Sequence, residues 1–221
     1  MHEGPRQPGG CYTGRMTLTM RVGSLDVAYD ESVLEPRPWT AAQAELATDV
    51  ARDLPPGPLL ELCCGAGHIG LLTALLSHRD AVLVDLNEAA CRFAEDNAVQ
   101  VRATGVSITV RQGQMTDVLQ ESEQFPLVVA DPPYIPSHQT GQFPTDPLVA
   151  IDGGADGLDL ARTCLEVGAR HLTPGGALVL QLRDREQALV LAEEAKRLDL
   201  VGPEVTQVGG HGALLVVRRE P

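Results

Sequence analysis

Residues 59–70, Leu-Leu-Glu-Leu-Cys-Cys-Gly-Ala-Gly-His-Ile-Gly, leave this chain few ways to fold. A short apolar strand runs into a turn carrying Gly65, Gly67 and Gly70, and an apolar helical pattern follows. Glycine takes positive φ without steric penalty, so the turn is tight, and the next helix starts with free N–H groups. A strand apolar on both faces needs helices on both sides, which is the setting of a parallel sheet. The alternation continues downstream. Ala81–Val84 reads as a strand ending at Asp85, and Asn87 caps a helix to about Ala103. Val106–Val110 and Leu127–Ala130 read as strands, Gly157–Leu172 as a helix, Ala177–Leu182 as a strand and Arg185–Leu198 as a helix. The last two strands, about Val201–Val208 and Ala213–Arg218, meet through Gly209-Gly210-His211-Gly212. With no helix between them they pair antiparallel. The spacing therefore predicts an α/β fold: a mostly parallel, doubly wound, seven-stranded sheet with a C-terminal antiparallel hairpin.

Upstream, Arg15 to Tyr29 alternates apolar and polar residues around Gly23-Ser24 and reads as a small N-terminal β-hairpin. Thr40 is placed to cap a helix reaching about Asp53, and Pro55-Pro56-Gly57-Pro58 ends it. Three parts are expected: a flexible tail over 1–14, the hairpin and its connecting loop over 15–39, and a catalytic domain over 40–221. The tail is polar and rich in glycine and proline. Residues 135–155 form a long loop, which in a compact domain usually signals function.

Asp131-Pro132-Pro133-Tyr134 follows the apolar run Leu127–Ala130, at the carboxyl end of a buried strand. Open α/β sheets bind ligands at that edge. The prolines fix the backbone and remove two N–H donors, leaving carbonyl oxygens free. A carboxylate and the Pro132 carbonyl, set beside an aromatic ring, can receive the two N–H bonds of a planar NH2 group while Tyr134 stacks on its face. The acceptor chemistry is thus that of an amide, amine or base nitrogen. At the other end, Asp85 lies twenty residues after Gly65 and can accept both hydroxyls of a ribose. Leu86 can cover an adenine. Taken alone, Gly65-x-Gly67-x-x-Gly70 with its acid fits an adenosyl-sulfonium or a nicotinamide dinucleotide. A dehydrogenase, however, has no need of Asp131–Tyr134 after the fourth strand.

At these residues the chain resembles the class I S-adenosylmethionine-dependent methyltransferases, with a Rossmann-like fold, and among them the HemK/PrmC-type N5-glutamine methyltransferases. Val33–Thr40 is similar to that family's segment before its first core helix. Glu61–Gly67 is similar to its S-adenosylmethionine loop, Asp85 to its ribose acid, and Asp131–Tyr134 to its Asn/Asp-Pro-Pro-aromatic motif. Pro147–Leu158, followed by Arg162, resembles its most specific stretch. The departures are Asp131, where glutamine-modifying members have Asn; Gln114, where relatives carry an acid; Cys63, where glycine is frequent; and no counterpart to the N-terminal helical domain of the release-factor enzymes.

The resemblance implies a methyl-transferring enzyme using S-adenosyl-L-methionine and releasing S-adenosyl-L-homocysteine. Glu61, Cys63, Gly65, Gly67, Asp85, Leu86, Gln114 and Asp131 then hold the cofactor. Asp131, Pro132 and Tyr134 act on the acceptor nitrogen, and Arg37, Trp39, Pro133 and Tyr134 bind the substrate. Arg37 suits either a substrate carboxylate or a structural ion pair, and Trp39 a pocket wall or a hydrophobic staple. His68 is expected at the surface, and Asp152 and Asp156 are expected to shape their loop and cap the helix at Gly157. The acceptor is read as a protein side chain or small metabolite. A nucleic-acid base is the alternative and an NAD-dependent oxidoreductase a further one.

The formal net charge of −13 weighs against nucleic acid, whose phosphates call for a basic face. The 43% hydrophobic and 21% charged content is that of an ordinary soluble protein. No membrane span and no metal site are expected. The 5 cysteines, odd in number and without metal spacing, read as reduced cytoplasmic thiols. Oligomeric state is left open.

Overall fold

The computed structural model describes residues 16–208 and 212–221. The expected tail over 1–14, Cys11 and most of the turn at 209–212 lie outside the described residues. The first strands, β1 (Leu18–Val22) and β2 (Leu25–Tyr29), form an antiparallel hairpin in which Val22 pairs with Leu25. Val22, Leu25, Val27 and Tyr29 are buried. This gives the hairpin one face to pack on the main body.

Helix α1 (Ala41–Ala51) follows a 3-10 turn over Pro38–Thr40. Then come β3 (Leu59–Leu62), α2 (His68–Ser77), β4 (Ala81–Asp85), α3 (Glu88–Arg102), β5 (Ile108–Gln112) and the short α4 (Met115–Val118). The chain continues with β6 (Phe125–Ala130), α5 (Leu148–Ile151), α6 (Asp159–His171), β7 (Leu172–Leu182), α7 (Arg185–Ala195), β8 (Leu200–Gln207) and β9 (Ala213–Arg219). Seven strands make one sheet in the order β5-β4-β3-β6-β7-β9-β8. The five strands from β5 to β7 run parallel, and β9 pairs antiparallel with both β7 and β8. The expected seven-stranded α/β sheet, its antiparallel C-terminal pair and the N-terminal hairpin are all present.

Two apolar cores sandwich the sheet. Leu60, Leu62, Val128, Leu178 and Leu180 face α6 and α7; Leu59, Leu83, Leu127 and Val129 face α1, α2 and α3. Alternation along each strand divides these residues between the faces. Strand order reverses at β3, which pairs with β4 on one side and β6 on the other. A crevice opens outside the carboxyl ends of the strands at such a point. Here the register decides what meets in it: Leu62 pairs with Ala130, so the turn at Cys63 and the turn at Asp131 leave adjacent strands at the same level.

Some boundaries differ from the sequence reading. Thr40 does not cap α1 with its side chain; its hydroxyl donates to the Arg37 carbonyl at 2.6 Å, closing the preceding 3-10 turn. The 135–155 segment is also not devoid of structure. It holds a 3-10 turn over Ser137–Gln142 as well as α5, and Ile135 bridges to the segment's own far end, with Ile135 N–H donating to Ile151 and Gly153 N–H to Ile135.

Candidate active site

One cleft of about 700 Å³ lies over the carboxyl edge at β3, β4 and β6. Its wall includes Cys63, Gly65, Asp85, Leu86, Gln114, Asp131, Pro132, Pro133 and Tyr134, with Arg37 and Trp39 from the segment before α1. The structure thus gathers most of the expected site residues. Glu61 and Gly67 stand behind the wall. Glu61 is buried in β3, and its carboxyl accepts the Gly70 N–H in the first turn of α2. That fit is close: a Cβ on Gly70 would lie 2.3 Å from Glu61 Oε2. Gly67, at φ 81, precedes α2, where a Cβ would press on Leu83, Leu71 and Ala94. Both residues shape the turn from below.

Glycine is required in the turn for more than one reason. Gly65 has φ 53, and a Cβ there would meet nothing within 4 Å, so the backbone itself borders open space. Its N–H donates to Asp85 Oδ2 at 2.8 Å, while Asn87 N–H donates to Asp85 Oδ1 at 2.8 Å. A third backbone N–H, from Leu86, also reaches the carboxylate, which still has capacity to accept a further donor. Burial raises the Asp85 pKa, and these N–H donors oppose the rise. Cys63 takes a left-handed backbone, φ 57, where a glycine would be unstrained. Its Sγ lies 3.8 Å from Cys164 Sγ; that contact and burial hold its thiol well above the ordinary range, and therefore neutral. Asn97 of α3 braces the turn from outside. Its amide donates to the Ala66 carbonyl and to the Ala28 carbonyl of the hairpin, both at 3.0 Å.

At the acceptor end, burial lifts the Asp131 carboxyl to about 7, and its Oδ1 is enclosed with no hydrogen-bond partner. Burial, and then the charge of Asp131, raise the Tyr134 phenol, which stays protonated at neutral pH. The turn is fixed from behind. Gln187 Nε2 donates to the Tyr134 carbonyl at 3.0 Å, and Gln43 Nε2 donates to the Ala130 carbonyl at 2.9 Å. Gly153 and Gly157 let a strap of backbone pass against the motif: a Cβ on Gly153 would sit 2.7 Å from the Pro133 carbonyl.

Of the two readings of Arg37 the structure shows the ion pair, and for His68 the expectation changes. Arg37 is engaged in an ion pair, since its Nη2 reaches Asp146 Oδ1 at 2.9 Å and Oδ2 at 2.8 Å. His68 is not a surface residue. It is buried because the first turn of α2 tucks beneath residues 37–40, where its Nε2 meets Thr40 Oγ1 at 3.0 Å. The Thr40 proton goes to Arg37, so His68 Nε2 is the donor; burial lowers the ring to about 4 and keeps it neutral. Asp152 and Asp156 shape their loop, accepting from Gly154 N–H and Leu158 N–H, but neither caps the helix, which begins at Asp159 without a side-chain cap.

Sequence reasoning missed Gln43, Asn97, Asp146 and Gln187. Only Gln43 carries a signal, a polar residue in the alanine stripe Ala44-Ala47-Ala51 that α1 buries. Among the described residues no cluster of His, Cys, Asp and Glu could hold a metal ion, and no helix is long and apolar enough to cross a membrane.

A doubly wound sheet with an antiparallel C-terminal pair and a glycine-turn cleft over its switch point is the Rossmann-like class I methyltransferase architecture. Residues 44–199 match the family model described as the methyltransferase small domain, and the chain belongs to that family. It is 31% identical over 183 residues to the release factor glutamine methyltransferase of Deinococcus radiodurans, covering 80% of this chain and 64% of that protein. It is 33% identical over 132 residues to the ribosomal protein uL3 glutamine methyltransferase of Bordetella pertussis, covering 56% of this chain and 42% of that one. The chain thus spans just under two thirds of the first relative and less than half of the second. A similar solved fold is the T. thermophilus 16S rRNA N2 methyltransferase RsmC in complex with AdoMet and guanosine, with TM-score 0.67 and 16% identity over 97% of this chain and 53% of that chain.

Proposed function

We propose that the protein is an S-adenosyl-L-methionine-dependent N-methyltransferase acting on an amide or amino nitrogen of a protein side chain, with residues 40–221 as the catalytic domain and the segment from Val33 to Trp39 bordering its cleft. One observation carries this reading: a glycine turn suited to a nucleoside and a turn suited to an NH2 group leave adjoining strands in register and share one cleft. The similarity to two glutamine methyltransferases supports a protein acceptor.

The residues present fit the cofactor. Gly65 offers open space over its backbone, Asp85 offers acceptor positions to ribose hydroxyls, and Leu86 and Gln114 border the same wall. When bound there, the cofactor supplies an electrophilic methyl on a cationic sulfonium. The chain does the rest by placement. Asp131 and the Pro132 carbonyl accept the two N–H bonds of the acceptor, which draws its lone pair out of conjugation and stabilises the positive charge developing on nitrogen. Each well-aimed group contributes roughly 2–4 kcal/mol. Tyr134 covers the planar face, and Asp131 is placed to take the released proton. Trp39 and Pro133 wall the acceptor side.

S-adenosylhomocysteine is expected to raise the unfolding midpoint by several degrees in a thermal-shift assay, and NAD to leave it unchanged. Stabilisation by NAD alone would return the reading to an oxidoreductase. Label transferred from radiolabelled cofactor into bulk RNA or DNA, and not into protein, would instead move the acceptor to a base amino group.

Asp131 also sets a pH dependence. Only the ionised carboxylate stabilises positive charge developing on nitrogen and can take its proton, so with a pKa of about 7 kcat/KM is expected to fall about tenfold per pH unit below 7 and to level off above it. A sulfonium charge nearby favours the ionised form, so the same limb in kcat is expected at lower pH. Stability has the opposite slope. Between the unfolded-chain value of about 3.9 and the folded value of about 7, the folded chain keeps a proton that the unfolded chain releases, and this carboxyl loses stability as pH rises.

A further inference from the structure

We propose that Asp146 is a specificity-determining residue that denies Arg37 to anionic acceptors. The inference rests on the methyltransferase reading for the identity of the acceptor end, and concerns only which acceptors enter it. Arg37, Tyr134, Phe143 and Asp146 line the same end of the cleft. An unengaged guanidinium there would draw a carboxylate or phosphate into a bidentate pair.

It is engaged instead. Asp146 closes on Arg37 Nη2 with both oxygens, across 109 residues of sequence, and Glu35 approaches Nη1 at 3.4 Å. The pair is shielded, with 29% of the Arg37 side chain and 14% of Asp146 exposed. Two carboxylates thus face one cation, and Asp131 is a third carboxyl whose charge acts on Tyr134. A substrate anion would have to displace Asp146 and leave its charge enclosed. A neutral amide meets no such cost. Residues 135–137 hold 151–154 through Ile135–Ile151, Gly153–Ile135 and Ser137–Gly154 backbone bonds, so the loop carrying Asp146 is anchored at its base and the ion pair fixes its tip. Arg183, also on the wall, stands 3.8 Å from its neighbour Asp184 and is the one other cation among the wall residues.

The test compares N-acetylglutaminamide with N-acetylglutamine, which differ by one carboxylate, on protein saturated with S-adenosylhomocysteine. Binding is followed by NMR titration, and methyl transfer separately with S-adenosylmethionine. Wild type is expected to prefer the neutral probe by at least about tenfold. In Asp146→Asn that preference should collapse or reverse, and Arg37→Gln together with Asp146→Asn should remove the gained affinity for the anion. Equal affinities in wild type, no binding of either probe at its solubility limit, or an Asp146→Asn variant with unchanged preference overturns the proposal. A wild-type preference for N-acetylglutamine that disappears in Arg183→Gln also overturns it, by placing the anion site elsewhere. Binding without methyl transfer leaves this inference standing and counts against the methyltransferase reading instead.

Discussion

Asp131→Ala is expected to lower kcat for methyl transfer by about 10²–10³-fold while leaving the affinity for S-adenosylhomocysteine within about threefold. The asymmetry follows from where the side chain sits. Asp131 stands at the acceptor end, its Oδ1 enclosed without a partner, whereas the cofactor end is organised by the Gly65–Asp85 bond on the neighbouring strands. A group that meets the substrate most strongly as charge develops on nitrogen affects the rate more than binding. Single-turnover transfer and calorimetric titration of the product separate the two quantities. Loss of cofactor affinity in parallel with rate would mean that Asp131 holds the nucleoside end. An unchanged rate would remove it from the chemistry altogether. The variant should fold at least as well as wild type at pH 8, because it deletes a carboxyl that burial has pushed up to about 7.

The second large effect is expected from a residue that touches no ligand. Gly157→Ala should destabilise the protein by about 3 kcal/mol or more and depress methyl transfer further than lost folding explains. Gly157 has φ 79, and a Cβ there would lie 2.4 Å from the Tyr134 carbonyl and 2.6 Å from Gln187 Nε2. Those are the two ends of the hydrogen bond that clamps the acceptor turn, at 3.0 Å in the native chain. The added methyl must push the strap away from the turn or part the clamp. Urea unfolding gives the stability change, and activity measured where both proteins are fully folded gives the remainder. Wild-type activity under those conditions would show that the strap does not position Tyr134. Gly175→Ala is the comparison: φ is 73, yet the nearest atom to its Cβ is Pro55 Cγ at 3.8 Å, so backbone strain is present without the clash.

The sheet was legible in the sequence because its signals are local. Runs such as Leu127–Ala130, the Asn87 cap, whose side chain does accept from Ala89 N–H, and the glycine turn each announce themselves within a few residues. The gathering of Gly65, Asp85 and Asp131 rests on the adjacency of β3, β4 and β6, which the structure supplies. What stayed hidden depends on distant partners. Arg37 reads the same whether its fork is open or filled, and Asp146 offers no sign that it lies beside residue 37. His68 follows a glycine turn, a place that is ordinarily open to solvent, and only the packing of residues 37–40 over α2 buries it. Gln187 looks like an ordinary first-turn helix residue after Asp184; its service to the Tyr134 carbonyl needs the strap and α7 to arrive together. Glu61 falls between, in the right motif yet with its carboxyl turned toward Gly70.

The in-register pairing of Leu62 with Ala130 also sets how the cleft would fail. A slip of one residue between these strands would offset the two turns by about 3.3 Å and throw every side chain of the displaced strand to the opposite face. No partial slip exists, because backbone hydrogen bonds lock in whole steps. The level at which the two turns leave the sheet is therefore set in whole residue steps, and smaller displacements are confined to the loops beyond Cys63 and Asp131.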